Sequence, residues 1–178
     1  MRAGLTPDAD GAFRERRERT VDAPAATTWT CVADLGGEPG WYAANRLWQV
    51  RGVLDRVVGG PGNRGRPDRA LRVGDPVDGW RVETVEPGRT LTLVSEQRMP
   101  GTARMTYEVH AHEVHDSQAP CAERSRLVQR LEFRPDGRLG QAFWWAELPA
   151  HKVIFRAMLV RMAQEAERRA RADGTMGP

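Results

Sequence analysis

The hydrophobic period of this sequence changes along the chain, and the change limits the folds that it can adopt. Between residues 77 and 133 apolar and polar side chains alternate, as in half-buried β-strands. After residue 149 apolar side chains recur every three or four residues along a long helix, among them Phe155, Met158 and Met162. Such a helix must cover an apolar surface, and one face of the sheet is the only large surface available.

The alternating region predicts four antiparallel strands, over residues 77–85, 90–97, 103–110 and 126–133. Turn signals separate them at 86–89, at 99–102 and at 116–120. On the third strand Met105, Tyr107 and Val109 share one apolar face. On the fourth, Leu127, Leu131 and Phe133 form a similar row with Gln129 in its middle. Each strand therefore has one covered and one solvated face.

The first half of the chain predicts one strand and two helices. Residues 13–21 read as a charged edge strand, and Pro24 suits the first turn of a helix that ends near Leu35. A second helix is predicted from about Trp41 to Val58. Its stripe comprises Trp41, Ala44, Leu47, Trp48, Arg51, Leu54 and Val58. The connection over 59–76 is rich in Gly, Pro and Arg, and its sequence does not distinguish a lid from a disordered loop.

The C-terminal helix is predicted to begin at Pro149 and to end near Arg171, after a short apolar segment over 139–148 that lies against the sheet edge. Together these elements predict an α+β fold, in which a curved antiparallel sheet wraps around the C-terminal helix and two short helices follow the first strand. We expect a single domain over 13–171 between flexible tails at 1–12 and 172–178.

Composition excludes several classes of protein. With 178 residues, 40% of them hydrophobic, one folded domain is the default. No run approaches the roughly 18 apolar residues of a membrane span, and the charged N-terminus does not resemble a secretory signal, so we expect a cytoplasmic location. Cys31 and Cys121 lie too far apart for a disulfide scaffold or a cysteine zinc finger. Arginines alternate with acids, which argues against nucleic-acid binding.

Two sequence motifs look like binding sites, but their contexts favour ordinary structural roles. Residues 60–65 match G-x-G-x-x-G, but a helix precedes them and a loop follows, whereas a dinucleotide site needs a strand and then a helix. His110, His112 and His115 cluster with Glu113, Asp116 and Cys121, but the strand face that His110 and His112 share is the one assigned to solvent. We therefore predict no metal site and no cofactor.

Several strings resemble the START-like superfamily (also called SRPBCC), which includes polyketide-cyclase-like and birch-pollen-allergen-like proteins with the helix-grip fold. They are the opening over 21–26, the motifs over 52–60, 71–75, 80–83 and 86–89, and the segment over 149–158. These motifs are most similar to a bacterial branch of unknown function, whose members often follow an NAD(P)-binding, short-chain-dehydrogenase-like domain. The resemblance implies a pocket for a small apolar molecule and no agreed chemistry. Since no nucleotide-binding domain precedes the motifs, any reductase activity would need a separate partner.

Strand parity and helix phase select the residues that we expect around such a pocket. Polar side chains within apolar rows need either an internal partner or a ligand, and aromatic side chains are typical of pocket walls. The predicted ligand-binding residues are Trp48, Trp80, Glu96, Met105, Tyr107, Gln129, Trp144, His151, Phe155 and Met158.

Three functions remain open from the sequence. The first is a binding module for a small hydrophobic molecule held between the sheet and the C-terminal helix. The second is a cyclase, dehydratase or reductase accessory of secondary or lipid metabolism, with Glu96, Tyr107 or His151 as acid or base. The third is an interaction subunit of a separate NAD(P)-dependent dehydrogenase. A homodimer is compatible with each of the three.

Overall fold

The computed structural model describes residues 4–112 and 124–174. One six-stranded antiparallel sheet forms the frame, in the order β1-β6-β5-β4-β3-β2. Its strands are β1 (Phe13–Val21), β2 (Pro76–Val77), β3 (Trp80–Glu86), β4 (Thr90–Ser95), β5 (Gly101–His112) and β6 (Arg124–Pro135). The helices are α1 (Ala25–Ala33), α2 (Asn45–Val57) and α3 (Gly137–Ala172). The predicted fold class is confirmed.

The predicted strand faces are confirmed as well. On β5 the side chains of Met105, Tyr107 and Val109 are buried, and on β6 those of Leu127, Leu131 and Phe133 are buried against α3. Because side chains alternate along a strand, a correct register places every second residue in the core. The turn predicted at 116–120 lies outside the described residues, and so do His115 and Cys121.

The strand predicted over 77–85 is wrong only at its start, where a tight turn separates β2 from β3. β2 ends at Val77, and Val77 pairs with Trp80 across Asp78 and Gly79. Asp78 adopts a left-handed backbone with φ of 53°. Asp-Gly is a frequent turn dipeptide, since both residues tolerate such angles better than most. The hairpin places the Trp80 side chain at the start of β3.

The C-terminal helix begins earlier than predicted. α3 runs without interruption from Gly137 to Ala172, so Pro149 lies inside it and the segment over 139–148 is helical. Proline removes only one intrahelical hydrogen bond, and the burial of Trp144 and Leu148 on the preceding turn favours continuation. His151 therefore lies in the middle of α3 and not in its first turn.

The second helix starts later than predicted, and only part of its predicted stripe faces inward: Leu47, Trp48 and Arg51 do, while the later positions do not. Tyr42 and Ala44 have positive φ angles, of 62° and 57°, so the chain enters the helix only at Asn45. Leu54 and Val58 of the predicted apolar stripe are exposed to solvent. Gly52 and Asp55 are instead the buried residues of α2. Because α3 already covers the sheet, α2 is held by its own polar and aromatic contacts.

Asp55 supplies the main polar contact of α2. Its buried carboxylate accepts hydrogen bonds from the backbone N–H groups of Gly62, at 2.9 Å, and of Arg98, at 2.6 Å. Asn63 adds a side-chain hydrogen bond to the carbonyl of Trp48. α2 is thereby fixed both to the connection that follows it and to the turn between β4 and β5.

Residues 4–12 run along the sheet before β1. The carbonyl of Gly4 accepts a hydrogen bond from the indole Nε1 of Trp144 at 2.8 Å. Asp8 and Asp10 pair with Arg14. The predicted boundaries, a domain at 13–171 between flexible tails, stay a prediction. Within the described ranges, no helix combines the length and the apolar character that a bilayer crossing requires.

Candidate functional site

A cavity of about 210 Å³ lies between α2, the concave side of the sheet and the middle of α3. Helix α2 contributes one wall and α3 the opposite one, while strands β3, β5 and β6 form the floor. Its lining is Leu47, Trp48, Arg51, Trp80, Gln97, Met99, Ala103, Leu131, Phe133, Phe143, Trp144, Glu147, Ala150, His151, Ile154 and Phe155. Most of these side chains are apolar or aromatic, as in pockets that bind small organic molecules.

Aromatic rings make continuous contact around the cavity. Trp48 packs against Phe155 with ring centroids 6.1 Å apart, and Phe155 packs against His151 at 5.4 Å. His151 in turn contacts Trp144, also at 5.4 Å. Behind this wall, Trp41 contacts both Trp48 and Trp80. Aromatic rings supply a large contact area with few rotatable bonds, so they form a rigid apolar wall.

The polar groups of the cavity are gathered on one side. The Arg51 guanidinium donates to Gln97 Oε1 at 2.8 Å and lies 3.4 Å from Glu147 Oε2. Nε2 of His151 lies 3.6 Å from the same Glu147 oxygen. The guanidinium also lies over the ring of Phe143, at 5.9 Å from its centroid. The site is therefore amphipathic, with an aromatic body and one polar corner.

His151 is neutral at physiological pH. Burial lowers its pKa to about 4, because a charged imidazole loses its hydration there. The positive charges of Arg51 and Arg17 lower the pKa further. Its Nδ1 atom is buried with no hydrogen-bond partner among the described residues. A neutral imidazole can accept a proton, so this position has the chemistry of a general base.

The lowered pKa of His151 predicts a pH-dependent stability. Between pH 6.5 and about 4 the unfolded chain binds a proton at this residue and the folded chain does not, so the free energy of unfolding falls as the pH falls. Between pH 7 and pH 5 we expect His151 to account for a loss of about 2 kcal/mol. Urea unfolding at the two pH values should show a pH dependence that is smaller by this amount in His151→Phe than in the wild type. Equal pH dependence in the two proteins would contradict the assignment.

Five of the ten predicted ligand-binding residues line the cavity: Trp48, Trp80, Trp144, His151 and Phe155. Four others, Met105, Tyr107, Gln129 and Met158, are fully buried in the core beyond it. Glu96 forms ion pairs with Arg64 and Arg81, outside the cavity lining. Their role in ligand binding stays a prediction.

The buried side chains of Tyr107 and Gln129 form a hydrogen bond with each other. Gln129 Nε2 donates to the Tyr107 hydroxyl at 2.9 Å, so the polar residue in the β6 row has an internal partner. Burial raises the pKa of Tyr107 well above its ordinary value, which keeps the hydroxyl protonated. This pair is thus part of the packed core and lies apart from the cavity wall.

Three residues of the polar corner, Arg51, Gln97 and Glu147, were missing from the predicted site. Glu147 precedes His151 by one helical turn, and Arg51 follows Leu47 by one turn, so helical spacing contains a signal for both. Gln97 and Met99 come from the turn between β4 and β5, where no period identifies an inward-facing side chain.

The glycine-rich motif and the histidine cluster of the sequence have local structural contacts. Gly60 and Gly62 approach the Asp55 carboxylate, and the G-x-G-x-x-G segment follows helix α2 and not a strand. His110 lies 3.3 Å from Glu108 through its Nε2 atom. No group of three metal-ligating side chains occurs in the part of the chain that the structure describes.

Comparison with known proteins identifies the family. Residues 9–158 match a family described as "Protein of unknown function (DUF2867)". The chain belongs to the DUF2867 family. No curated protein matches the sequence. The DUF2867 chain is thus placed among relatives whose function is not assigned.

Solved structures show the same fold. The Zhui aromatase/cyclase from Streptomyces sp. R1128 is 22% identical, with a TM-score of 0.53 over 92% of this chain and 98% of that one. The di-domain aromatase/cyclase BexL of the BE-7585A biosynthetic pathway is 16% identical, with a TM-score of 0.52 over 86% of this chain and 46% of BexL. An uncharacterised protein from Rhizobium leguminosarum is 15% identical, with a TM-score of 0.50 over 88% of this chain and 95% of that one. This DUF2867 protein has the helix-grip fold of the START-like superfamily, as its motifs predicted.

Proposed function

We propose that this DUF2867 protein binds a small, mainly apolar molecule with one or two rings in the cavity between α2, the sheet and α3. The continuous aromatic wall of the cavity carries this proposal. A volume of about 210 Å³ is below the roughly 300–1,000 Å³ of pockets for drug-sized ligands, so a compact ligand fits best. The likeness of the fold to aromatase/cyclase structures supports a cyclic or cyclisable ligand.

A substitution at the cavity wall tests the proposal. Ala150 lines the cavity from an exposed position of α3, so Ala150→Trp should fill the space without damage to the core. We expect at least about a tenfold loss of affinity for 2-ethylnaphthalene in isothermal titration calorimetry, because the ring competes for the same volume. Ala146→Trp is the matched control, since Ala146 is also exposed, lies one turn earlier and does not line the cavity.

Two results would contradict binding in this cavity. One is unchanged affinity in Ala150→Trp. The other is failure of the wild type both to bind the naphthalene probe and to carry any small molecule in native mass spectrometry after purification from its own host.

Acid–base catalysis on the bound molecule is a second candidate. Among the three predicted acid–base residues, His151 alone lines the cavity, where it is neutral and has Glu147 beside it. We expect His151→Gln to abolish turnover of a cyclisable substrate while binding of 2-ethylnaphthalene changes little. Equal turnover in wild type and variant would remove this candidate.

The solvent side of α2 favours a third candidate, an interaction subunit. Leu47, Val50, Val53, Leu54 and Val57 of this helix, and Val58 just after it, are each more than half exposed. Many exposed aliphatic side chains on one short segment are typical of protein interfaces. A separate NAD(P)-dependent dehydrogenase, which the sequence resemblance implies, is the partner to test by co-purification. If neither protein changes the kinetics of the other, this role is excluded.

A further inference from the structure

Helix α2 carries its exposed aliphatic side chains on one side. At about 100° of rotation per residue, they fall within a single arc of about 120°, opposite the buried Gly52 and Asp55. We call this arc the outer face of α2, and it consists of Leu47, Val50, Val53, Leu54 and Val57. Each of the five side chains is at least 55% exposed. Exposed apolar side chains that share one face of a helix are typical of an interaction site.

The exposed charges of α2 are all positive. Arg46 lies within the arc of the outer face, and Arg56 is exposed beside it. The single acid of the helix, Asp55, is buried and holds backbone N–H groups, so it does not offset these cations at the surface. An aliphatic helix face with basic residues in and beside it is typical of helices that lie on an anionic membrane surface.

The size and charge of the outer face favour a lipid surface over a protein. A helix of 13 residues is about 20 Å long, so its outer side offers a few hundred Å². A stable protein complex needs about 800 Å² from each partner. Pairing with a second copy of the chain would also bring Arg46 and Arg56 against their own equivalents. A bilayer interface requires only a narrow apolar stripe and cations that reach the phosphates.

We propose that the outer face of α2 docks on an anionic lipid bilayer, with its aliphatic side chains at the acyl boundary and Arg46 and Arg56 among the phosphates. This docking goes beyond the proposed function and does not depend on it. The outer face adjoins the cavity, because Leu47 belongs to both. On the other side of the cavity, Ala150 of α3 is exposed too, and Val153 is 71% exposed. An apolar ligand dissolved in the bilayer would therefore meet the cavity at the docked surface.

Flotation of the wild-type chain with lipid vesicles measures the docking directly. We expect binding to vesicles made of equal parts of phosphatidylglycerol and phosphatidylcholine. Binding to vesicles of phosphatidylcholine alone should be at least about tenfold weaker, since the attraction of two arginines to anionic lipid is then lost. Added salt should weaken binding to the anionic vesicles, because it screens that attraction. These measurements do not depend on the folding of a variant.

Two pairs of variants then locate the contact. Arg46→Gln should lower the affinity for anionic vesicles about fivefold. Arg19→Gln is its control, because it removes the same charge from an exposed position on β1, at the opposite edge of the sheet from β2 and β3. Val53→Glu should lower the affinity at least about tenfold, since it places an acid within the aliphatic arc. Val73→Glu adds the same charge at a similarly exposed valine outside α2 and should have a smaller effect.

Each outcome supports or overturns the docking. If the wild type binds neither kind of vesicle, the proposal is wrong, and the outer face is left to the protein partner of the third candidate function. If Arg19→Gln weakens binding as much as Arg46→Gln, the attraction depends on net charge alone and the proposal is wrong as well. The affinity for 2-ethylnaphthalene in the absence of vesicles tests the binding function separately, so either idea can fail while the other stands.

Discussion

Replacement of Trp144 by alanine is expected to lower the free energy of unfolding by about 3–5 kcal/mol, the range for a large buried aromatic side chain. The indole is almost completely buried. It stacks between Phe13 of β1 and Phe133 of β6, at centroid distances of 5.2 and 5.4 Å. Its N–H group holds Gly4. One side chain thus joins α3, two strands and the segment before β1, so its loss removes contacts from all of them.

Urea unfolding followed by circular dichroism measures this loss of free energy. In thermal unfolding, we expect the melting temperature of a chain of this length to fall by roughly 10 °C. Trp145→Ala is the matched control, because its neighbouring indole is 47% exposed and has only an edge contact with Phe13. We expect that control to lose less than about 1 kcal/mol. Similar losses in the two variants would show that Trp144 does not connect these elements.

Replacement of Asp55 by alanine should be nearly as destabilising, by about 3–5 kcal/mol. The buried carboxylate accepts two backbone hydrogen bonds, from Gly62 and Arg98, and charge-assisted bonds of this kind are stronger than neutral ones. Alanine would leave both N–H groups without their acceptor. Since α2 contributes Leu47, Trp48 and Arg51 to the cavity, we also expect weaker binding of 2-ethylnaphthalene.

Chemical unfolding and calorimetric binding test the two effects together. Asp68→Ala is the control, because Asp68 is an exposed acid in the connection that follows α2, and its loss should change neither quantity. Asp55→Asn keeps the size of the side chain and one acceptor oxygen, so it should be intermediate. A fully stable Asp55→Ala protein would mean that α2 does not depend on this carboxylate.

The sheet could be predicted from the sequence because the alternation of side chains along each strand depends only on neighbouring residues. Alternation alone identified the buried faces of Met105, Tyr107 and Leu131, and the turns fell at Gly and Pro. The same alternation does not say how far along a strand a cavity extends. Met105 and Tyr107 point to the correct side of the sheet, but the core fills the space above them. Only the packing of whole elements determines where the filled region ends.

The helices were harder to predict, for reasons that differ between them. The helical spacing of Trp41 and Ala44 suggested one continuous helix, yet the left-handed backbone at Tyr42 and Ala44 delays its start. Positive φ angles do not change the spacing of apolar residues in the sequence, so the spacing cannot reveal them. The inward face of α2 was predicted only in part, since Trp48 and Arg51 line the cavity but Leu54 and Val58 are exposed. An aliphatic stripe normally marks the buried side, whereas here Asp55 turns the second half of the helix through hydrogen bonds to distant backbone.

Pro149 divides α3 at the level of the cavity. Phe143, Trp144 and Glu147 line the cavity from the turns before the proline, and Ala150, His151 and Ile154 line it from the turns after it. The missing N–H of Pro149 removes one rung of the helical ladder, so the bending stiffness of the helix is lowest at this point. A bend of a few degrees there changes the distance between the two halves of the wall without repacking either half. If the cavity binds a small molecule as proposed, compliance along this axis would let it hold ligands of slightly different thickness.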